Sequence, residues 1–374
     1  MTSAPKIVPP VVGDFLPEFK LPDERGRPVG LSTHALGKAI ALLFYPDSKK
    51  PACQQMLKAF ATQHERLSGL AHVFGISSQS VEENAGAIAQ HGLPFRLLAD
   101  PTGVAAQHFG IPHNLPGAQL DFLGSGAFTV VIADANRRVL RIEPGLTDPA
   151  ALDEIATFLE AQAPGPALEM PPVAPVLCVP RVFDEAFCRR LIEIYETQGN
   201  EASGTITTTR AGEQATRLDP ELKIRRDHYV RDPALQDEIR RLIKGRILPE
   251  IARVFFYRVT RFEEFKIVCY EASDGGHFAP HRDNTTLALA HRRFALTLNL
   301  NAGEYEGGQL RFPEFGPHLY RPGTGDAIVF SCSLLHQAMP VTAGRRFVLL
   351  SFFFGDEAQQ MRERQESAHA AKLG

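Results

Sequence analysis

The sequence contains no apolar run approaching the ~18 residues that a membrane-spanning helix requires, so it offers no such segment. It has no strong charge of either sign. The formal net charge is −3, which leaves no basic footprint for nucleic acid or for an anionic membrane surface. Cysteine is scarce and scattered. Cys53, Cys178, Cys188, Cys269 and Cys332 form no Cys-x-x-Cys pair, which argues against a disulfide framework or a thiolate zinc site and suits a reducing, cytoplasmic setting. Met1-Thr-Ser-Ala-Pro-Lys6 lacks a basic region leading into an apolar stretch, so no signal peptide is expected. No internal repeat is present.

What is there reads as two globular domains. At 374 residues the chain exceeds one ordinary core, and 44% apolar with 22% charged residues is a globular composition. The boundary falls where proline is dense, from Pro164-Gly-Pro166 through Pro171, Pro172 and Pro175, because proline continues neither a helix nor a central strand. This gives domains at 1–163 and 177–374 with a linker at 164–176. Before the linker, apolar runs of strand length (39–44, 71–76, 95–98, 129–133, 138–142) alternate with helical periodicity (51–68, 81–91, 148–162), which predicts an α/β sandwich. Asp148 is the expected N-cap of the last helix, with Pro149 at N1.

After the linker, helices are expected at 184–198 and within 233–255, and from Phe265 onward nearly everything reads as strand. Residues 294–301 alternate strictly, with Leu296, Leu298 and Leu300 on one face and Thr297, Asn299 and Asn301 on the other. Short strands separated by Gly and Pro predict a double-sheet jelly roll supported by helices. The polar stretch 201–217 lacks periodicity and reads as a mobile loop. Lys223, Arg225, Arg226, Arg282, Arg292 and Arg293 are candidates for a cationic rim, and His291 is expected at the surface.

The chemistry-bearing set lies in this second part: His281-Arg282-Asp283, a distant His336, then Arg346. Two imidazoles and a carboxylate can hold iron on one face and leave open positions. Residues i and i+2 of a strand share a side, so His281 and Asp283 are expected to share an ion while Arg282 points away. A turn at 342–344 is expected to bring Arg346 back beside His336, where a buried guanidinium needs an anion. Arg345, of opposite parity, is expected to face outward.

With Gly276-His-Phe-Ala-Pro-His281, Tyr305-Glu-Gly-Gly-Gln-Leu-Arg-Phe312, Gly325-Asp-Ala-Ile-Val-Phe330 and Pro340-Val-Thr-Ala-Gly-Arg-Arg346, residues 176–354 resemble the iron(II)/2-oxoglutarate-dependent oxygenases of the prolyl 4-hydroxylase-like branch. The resemblance implies a double-stranded β-helix, with Fe(II) on His281, Asp283 and His336. It also implies 2-oxoglutarate at Arg346 and Tyr270, with Thr297 and Asn299 as further cosubstrate-binding candidates, O2 as oxidant and ascorbate as a helper. The Tyr270-to-His281 spacing is slightly longer than the family's. The expected activity is hydroxylation of a peptide or small molecule, with no nucleic-acid or membrane partner and with self-association.

Cys53 follows the 39–44 run and falls in the first turn of a helix, where amide groups and the nearby Lys49 and Lys50 are expected to lower the thiol pKa. With Gly13-Asp14, Pro17-Glu-Phe19, Leu21-Pro-Asp23 and Asp100-Pro-Thr-Gly-Val104, residues 10–160 resemble a peroxiredoxin, which implies a thioredoxin-like fold and Cys53 as the catalytic thiol. Three departures count against peroxide turnover. Lys50 stands where the family has threonine, no arginine lies near Ala127, and no resolving cysteine follows in the next helix. The expectation is an oxygenase fused to a degenerate or redox-sensing module. A Cys53 peroxidase with an accessory jelly roll, or a non-enzymatic redox-responsive scaffold, are the alternatives.

Overall fold

Strands buried on both faces carry apolar residues at every position, and Ala39–Phe44 (Ala-Ile-Ala-Leu-Leu-Phe) does so. In the computed structural model, which describes residues 8–34, 37–111, 128–208 and 214–373, it is the central strand of a five-stranded sheet. Ala71–Ser77 and Arg96–Ala99 follow parallel on one side, and Phe128–Ala133 and Val139–Leu146 antiparallel on the other. Ala41 and Leu43 pack with Met56, Leu57, Phe60, Ile155 and Leu159, while Ile40, Leu42 and Phe44 pack with Leu16, Phe19 and Leu98. This is the α/β, thioredoxin-like layering expected of the first part. The chain divides into two compact units, Met1–Ala167 and Leu168–Gly374.

Two helices of the first unit differ from expectation. The periodicity at 51–68 resolves into Pro51–Thr62 and His64–Ser68, broken at Gln63, and Leu67 still reaches the core. The last helix is Ala151–Ala161, and its N-cap is Ala150 without a side-chain bond. Asp148 accepts instead from the Ala150 amide at 2.9 Å, and i to i+3 bonds from Ala151 and Leu152 make a tight turn ahead of the helix. Asp148 therefore caps that turn.

In the second unit, Glu185–Gln198 starts at Asp184, whose Oδ1 accepts from the Phe187 amide at 2.7 Å. Pro233–Arg246 starts at Asp232 with Pro233 at N1, and Leu248–Phe255 follows. Their apolar stripes (Phe187, Leu191, Tyr195, Ile239, Leu242, Ile243) cover one face of a large sheet. That sheet runs Leu177–Val179, Ala327–Ser331, Phe294–Asn299, Val341–Phe354, Lys266–Glu271, Arg226–Tyr229, Glu201–Ala202. A smaller sheet runs Lys223–Ile224, His277–His281, His336–Ala338, Leu310–Arg311, Leu319–Tyr320. Val268, Tyr270, Ala295, Phe312, Ile328, Phe330, Ala338 and Val348 fill the space between the sheets. Each of the valine, isoleucine and phenylalanine side chains among them contributes roughly 1.5–3 kcal/mol by leaving water. This is the expected jelly roll.

Period-two alternation decides what enters that space. Along Val341–Phe354, Phe347 and Leu349 join the helix-side core while Val348 joins the inter-sheet core, which puts Arg346 on the inner side. The expected turn at 342–344 does not form. The strand continues through it and pairs with Tyr305–Gly307, with a shift of register between Glu306 and Gly307. Gly344 has φ +72, and a Cβ there would stand 2.6 Å from the Glu304 carbonyl oxygen, so the glycine permits the pairing. The supposed mobile loop contains an antiparallel ladder, Thr205–Thr208 on Gln214–Arg217, while 209–213 lie outside the described residues. An unforeseen helix, Asp356–Leu373, ends the unit; its sequence lacks an apolar stripe to announce it.

Candidate metal centre and active site

His281 closes the strand His277–His281, His336 opens His336–Ala338, and the two are direct cross-strand partners. Their ring centroids lie 4.3 Å apart. Asp283 does not lie in the strand, so shared parity is not what brings it to His281. It sits two residues beyond the strand end, held by its amide to the Cys332 carbonyl at 3.0 Å. Its carboxylate spans both rings, with Oδ1 3.5 Å from His281 Nε2 and Oδ2 3.4 Å from His336 Nε2. One donor atom from each residue falls within 4.8 Å of the others, close enough for the three to converge on one ion with small side-chain adjustments.

The outer contacts select the donor atoms. His281 Nδ1 lies 2.8 Å from the Ala279 carbonyl oxygen and His336 Nδ1 lies 3.0 Å from that of Leu334. A carbonyl can only accept, so Nδ1 carries the proton and each Nε2 lone pair points inward. Burial raises the Asp283 carboxyl, but the His336 and His281 charges outweigh it and bring it down to about 2. Burial lowers His336 despite Asp283. An ionised carboxylate with two inward-facing imidazole nitrogens is the donor set that a divalent ion requires once it displaces any proton from them.

Arg346 is 2% exposed and is a cross-strand partner of Tyr270, with its guanidinium carbon 5.3 Å from that ring centroid. Nη2 reaches Asn299 Oδ1 at 3.4 Å, and Nε finds no hydrogen-bond partner among the described residues. Gly308 makes room for it, since a Cβ there would lie 2.8 Å from Arg346 Cδ. A buried guanidinium with unspent donors beside a metal set fits the far carboxylate of a dicarboxylic acid. Arg346, Tyr270 and Thr297 line the same cavity of about 590 Å³ as His281, Asp283 and His336. Asn299 is not among its lining residues. It acts behind Arg346, with Nδ2 donating to the Pro322 carbonyl at 2.8 Å and to Tyr305 Oη at 3.2 Å. Arg345 points the other way, toward Glu196 and Glu271.

The candidate cations separate. Lys223, Arg225, Arg282 and Arg292 line the cavity, whereas Arg226 bonds to Asn200 and Arg293 to the Ala290 carbonyl. His291 is not at the surface but 3% exposed, with Nε2 2.9 Å from Glu263 Oε1. Glu263 also accepts from Arg292 Nε and Nη2, each at 2.7 Å. Arg292 in turn donates to the Asp283 carbonyl at 3.4 Å and stacks 3.7 Å from the Phe352 centroid. This Glu263–His291–Arg292 group, which braces the Asp283 loop, was missed in the sequence. A glutamate and two basic residues about thirty positions apart give no local signal.

Cys53 lies in the first turn of Pro51–Thr62, but its thiol is not lowered. It is 0% exposed; burial pushes the thiol up, outweighing the Asp47 amide and the Lys50 charge. Lys50 is the N-cap and makes no side-chain cap bond. Position 127, where an arginine was sought, lies outside the described residues.

The AhpC/TSA family profile matches residues 12–139, and that of the 2OG-Fe(II) oxygenase superfamily matches residues 265–354. Chloroplastic peroxiredoxin Q from Arabidopsis thaliana is 32% identical over 40% of this chain and 67% of its own length. Chloroplastic peroxiredoxin Q from Sedum lineare is 36% identical over 28% of this chain, which spans 56% of that relative. A PKHD-type hydroxylase from Stenotrophomonas maltophilia is 40% identical over 22% of this chain and 39% of its own length. The second family implies Fe(II), 2-oxoglutarate and O2. The chain thus belongs to the AhpC/TSA peroxiredoxin family through its first unit and carries, in its second, an oxygenase domain of the 2OG-Fe(II) superfamily.

Proposed function

We propose that the second unit is an Fe(II)- and 2-oxoglutarate-dependent dioxygenase that hydroxylates a peptide or small molecule. The observation that carries this reading is the convergence of His281, Asp283 and His336 within 4.8 Å, in one cavity with a buried Arg346 whose Nε is unspent. His281 Nε2, His336 Nε2 and the Asp283 carboxylate would hold the ion, and Arg346 with Tyr270 would hold the cosubstrate's far carboxylate. Bound iron and 2-oxoglutarate supply dioxygen activation, so that substrate C–H, O2 and 2-oxoglutarate become C–OH, succinate and CO2. The protein orients these partners, and Phe278, Leu310, Phe330 and Phe352 in the wall keep bulk water from the centre.

Ascorbate serves in this reading as a reductant that keeps iron ferrous, and the working setting is a reducing, cytoplasmic one. No helix among the described residues is long and apolar enough to cross a membrane. Self-association of the chain belongs to the same reading. The first unit, with its thiol buried and raised, acts as a redox-responsive module and not as a fast peroxidase. The test is succinate release by the purified full chain with Fe(II), 2-oxoglutarate and O2. Asp283→Ala is expected to lower it at least ~100-fold, since it removes the anionic donor. Equal turnover by that variant overturns the reading.

A further inference from the structure

The cavity holds one more buried cation, Lys223, which makes no direct ion pair among the described residues, although the charges of Asp227 and Asp283 act on it from farther off. Lys223, on the short edge strand Lys223–Ile224, is 9% exposed. Its ammonium donates to Ser203 Oγ at 3.0 Å and to the Gly204 carbonyl at 2.5 Å. An ammonium has three donors, so one is left unmatched among the described residues. The other cavity cations are matched. Arg225 and Lys266 lie 3.0 and 3.9 Å from Asp227, Arg292 pairs with Glu263 and Arg282 with Glu314, and Arg346 faces the cosubstrate.

The place of this ammonium is specific. Nζ lies 5.2 Å from the Phe278 ring centroid, and that ring stacks on His281 at 3.5 Å. A group held at Lys223 is therefore separated from the metal set by the thickness of one aromatic stack. Burial, with Arg225 adding to it, pulls the Lys223 pKa down to about 7 in spite of the Asp227 and Asp283 charges. A bound anion is what restores full charge to such an amine. A cavity of about 590 Å³ suits small molecules.

We propose that Lys223 anchors a carboxylate carried by the substrate, so that the hydroxylated molecule is an acid held by its anionic end while a C–H group faces the metal. The inference rests on the oxygenase reading and adds the substrate class. The carboxylate can belong to a free small acid or to an acidic side chain, and the test separates the two.

The full chain is loaded with Mn(II) and saturated with N-oxalylglycine, which occupies the Arg346 side. Proton line broadening by the bound ion is then measured for four probes: butyrate, butyramide, acetyl-Gly-Glu-Gly-amide and acetyl-Gly-Gln-Gly-amide. Saturable broadening of a carboxylate probe but not of its amide is expected, at least about 10-fold weaker in Lys223→Met and restored in Lys223→Arg, the range of a charge-assisted hydrogen bond. Butyrate alone identifies a free acid, and the glutamate peptide an acidic side chain. Equal broadening of acids and amides, insensitivity to Lys223→Met in a variant with native circular dichroism, or no broadened probe overturns the proposal. If N-oxalylglycine itself is not broadened, the oxygenase reading fails instead, which keeps the two failures apart.

Discussion

Replacing Glu263 with glutamine tests whether the group beneath the metal loop is a structural brace. Burial alone raises this carboxyl, but hydrogen bonds from His291 and Arg292 and the charge of Arg292 bring it down to about 2 from 4.5. Its side chain is 19% exposed, so solvent screens the pair little. A depression of that size corresponds to about 3 kcal/mol of stability at pH 7.5. The sign follows from the depressed value. The contribution is complete above the unfolded pKa near 4.5 and is lost as pH falls toward 2, leaving about 2 kcal/mol at pH 3.5.

Glu263→Gln removes the carboxyl whose titration gives this pH dependence. The gap between parent and variant is therefore expected to be about 3 kcal/mol at pH 7.5 and to narrow by about 1 kcal/mol at pH 3.5. The assay is urea unfolding followed by tyrosine fluorescence. The chain has no tryptophan and seven tyrosines, all but Tyr45 in the second unit, so the signal reports mainly the unit that is perturbed. A gap under ~1 kcal/mol at pH 7.5, or one that widens on acidification, refutes the brace.

Other outcomes follow from the same geometry. Arg346→Met removes the buried guanidinium and is expected to weaken N-oxalylglycine binding about 10- to 100-fold by calorimetry, the range for an interaction with a charged group. Asn299→Leu leaves the cavity wall intact but frees Arg346 Nη2, so KM for 2-oxoglutarate is expected to rise about 10-fold with a smaller change in kcat. Alkylation of the native protein by iodoacetamide, mapped by mass spectrometry, is expected to label the exposed Cys178 first. Cys53, Cys188, Cys269 and Cys332 are buried and stay protected; early labelling of Cys53 contradicts the burial argument.

Much of the fold was legible because it is written in periodicity. Apolar runs such as 39–44 and the alternation at 294–301 announce strands, and helical spacing of apolar residues announces the helix at 184–198. The residue types of the metal set were legible for a chemical reason, since few combinations other than two histidines and an aspartate suit that chemistry. Their route together was less so. Asp283 reaches the histidines through a backbone bond to Cys332, a contact that no local pattern encodes. Burial was the hardest property to read. His291, Lys223 and Glu263 are polar in sequence yet enclosed in the fold, because each has a partner or a wall supplied from far along the chain. Cys53 misleads for the same reason, since its position in the helix argues for a low pKa while the core around it imposes the opposite. Thr297 and Asn299 share a strand face, yet one lines the cavity and the other supports Arg346 from behind.

The most direct measurement for the central claim is calorimetric titration of the metal-free full chain with Fe(II) under anaerobic conditions, in the presence of N-oxalylglycine. Binding of one ion per chain, lost in His281→Ala, Asp283→Ala and His336→Ala alike, is the predicted result. Undiminished binding in those three variants, or no binding in the parent, contradicts the account.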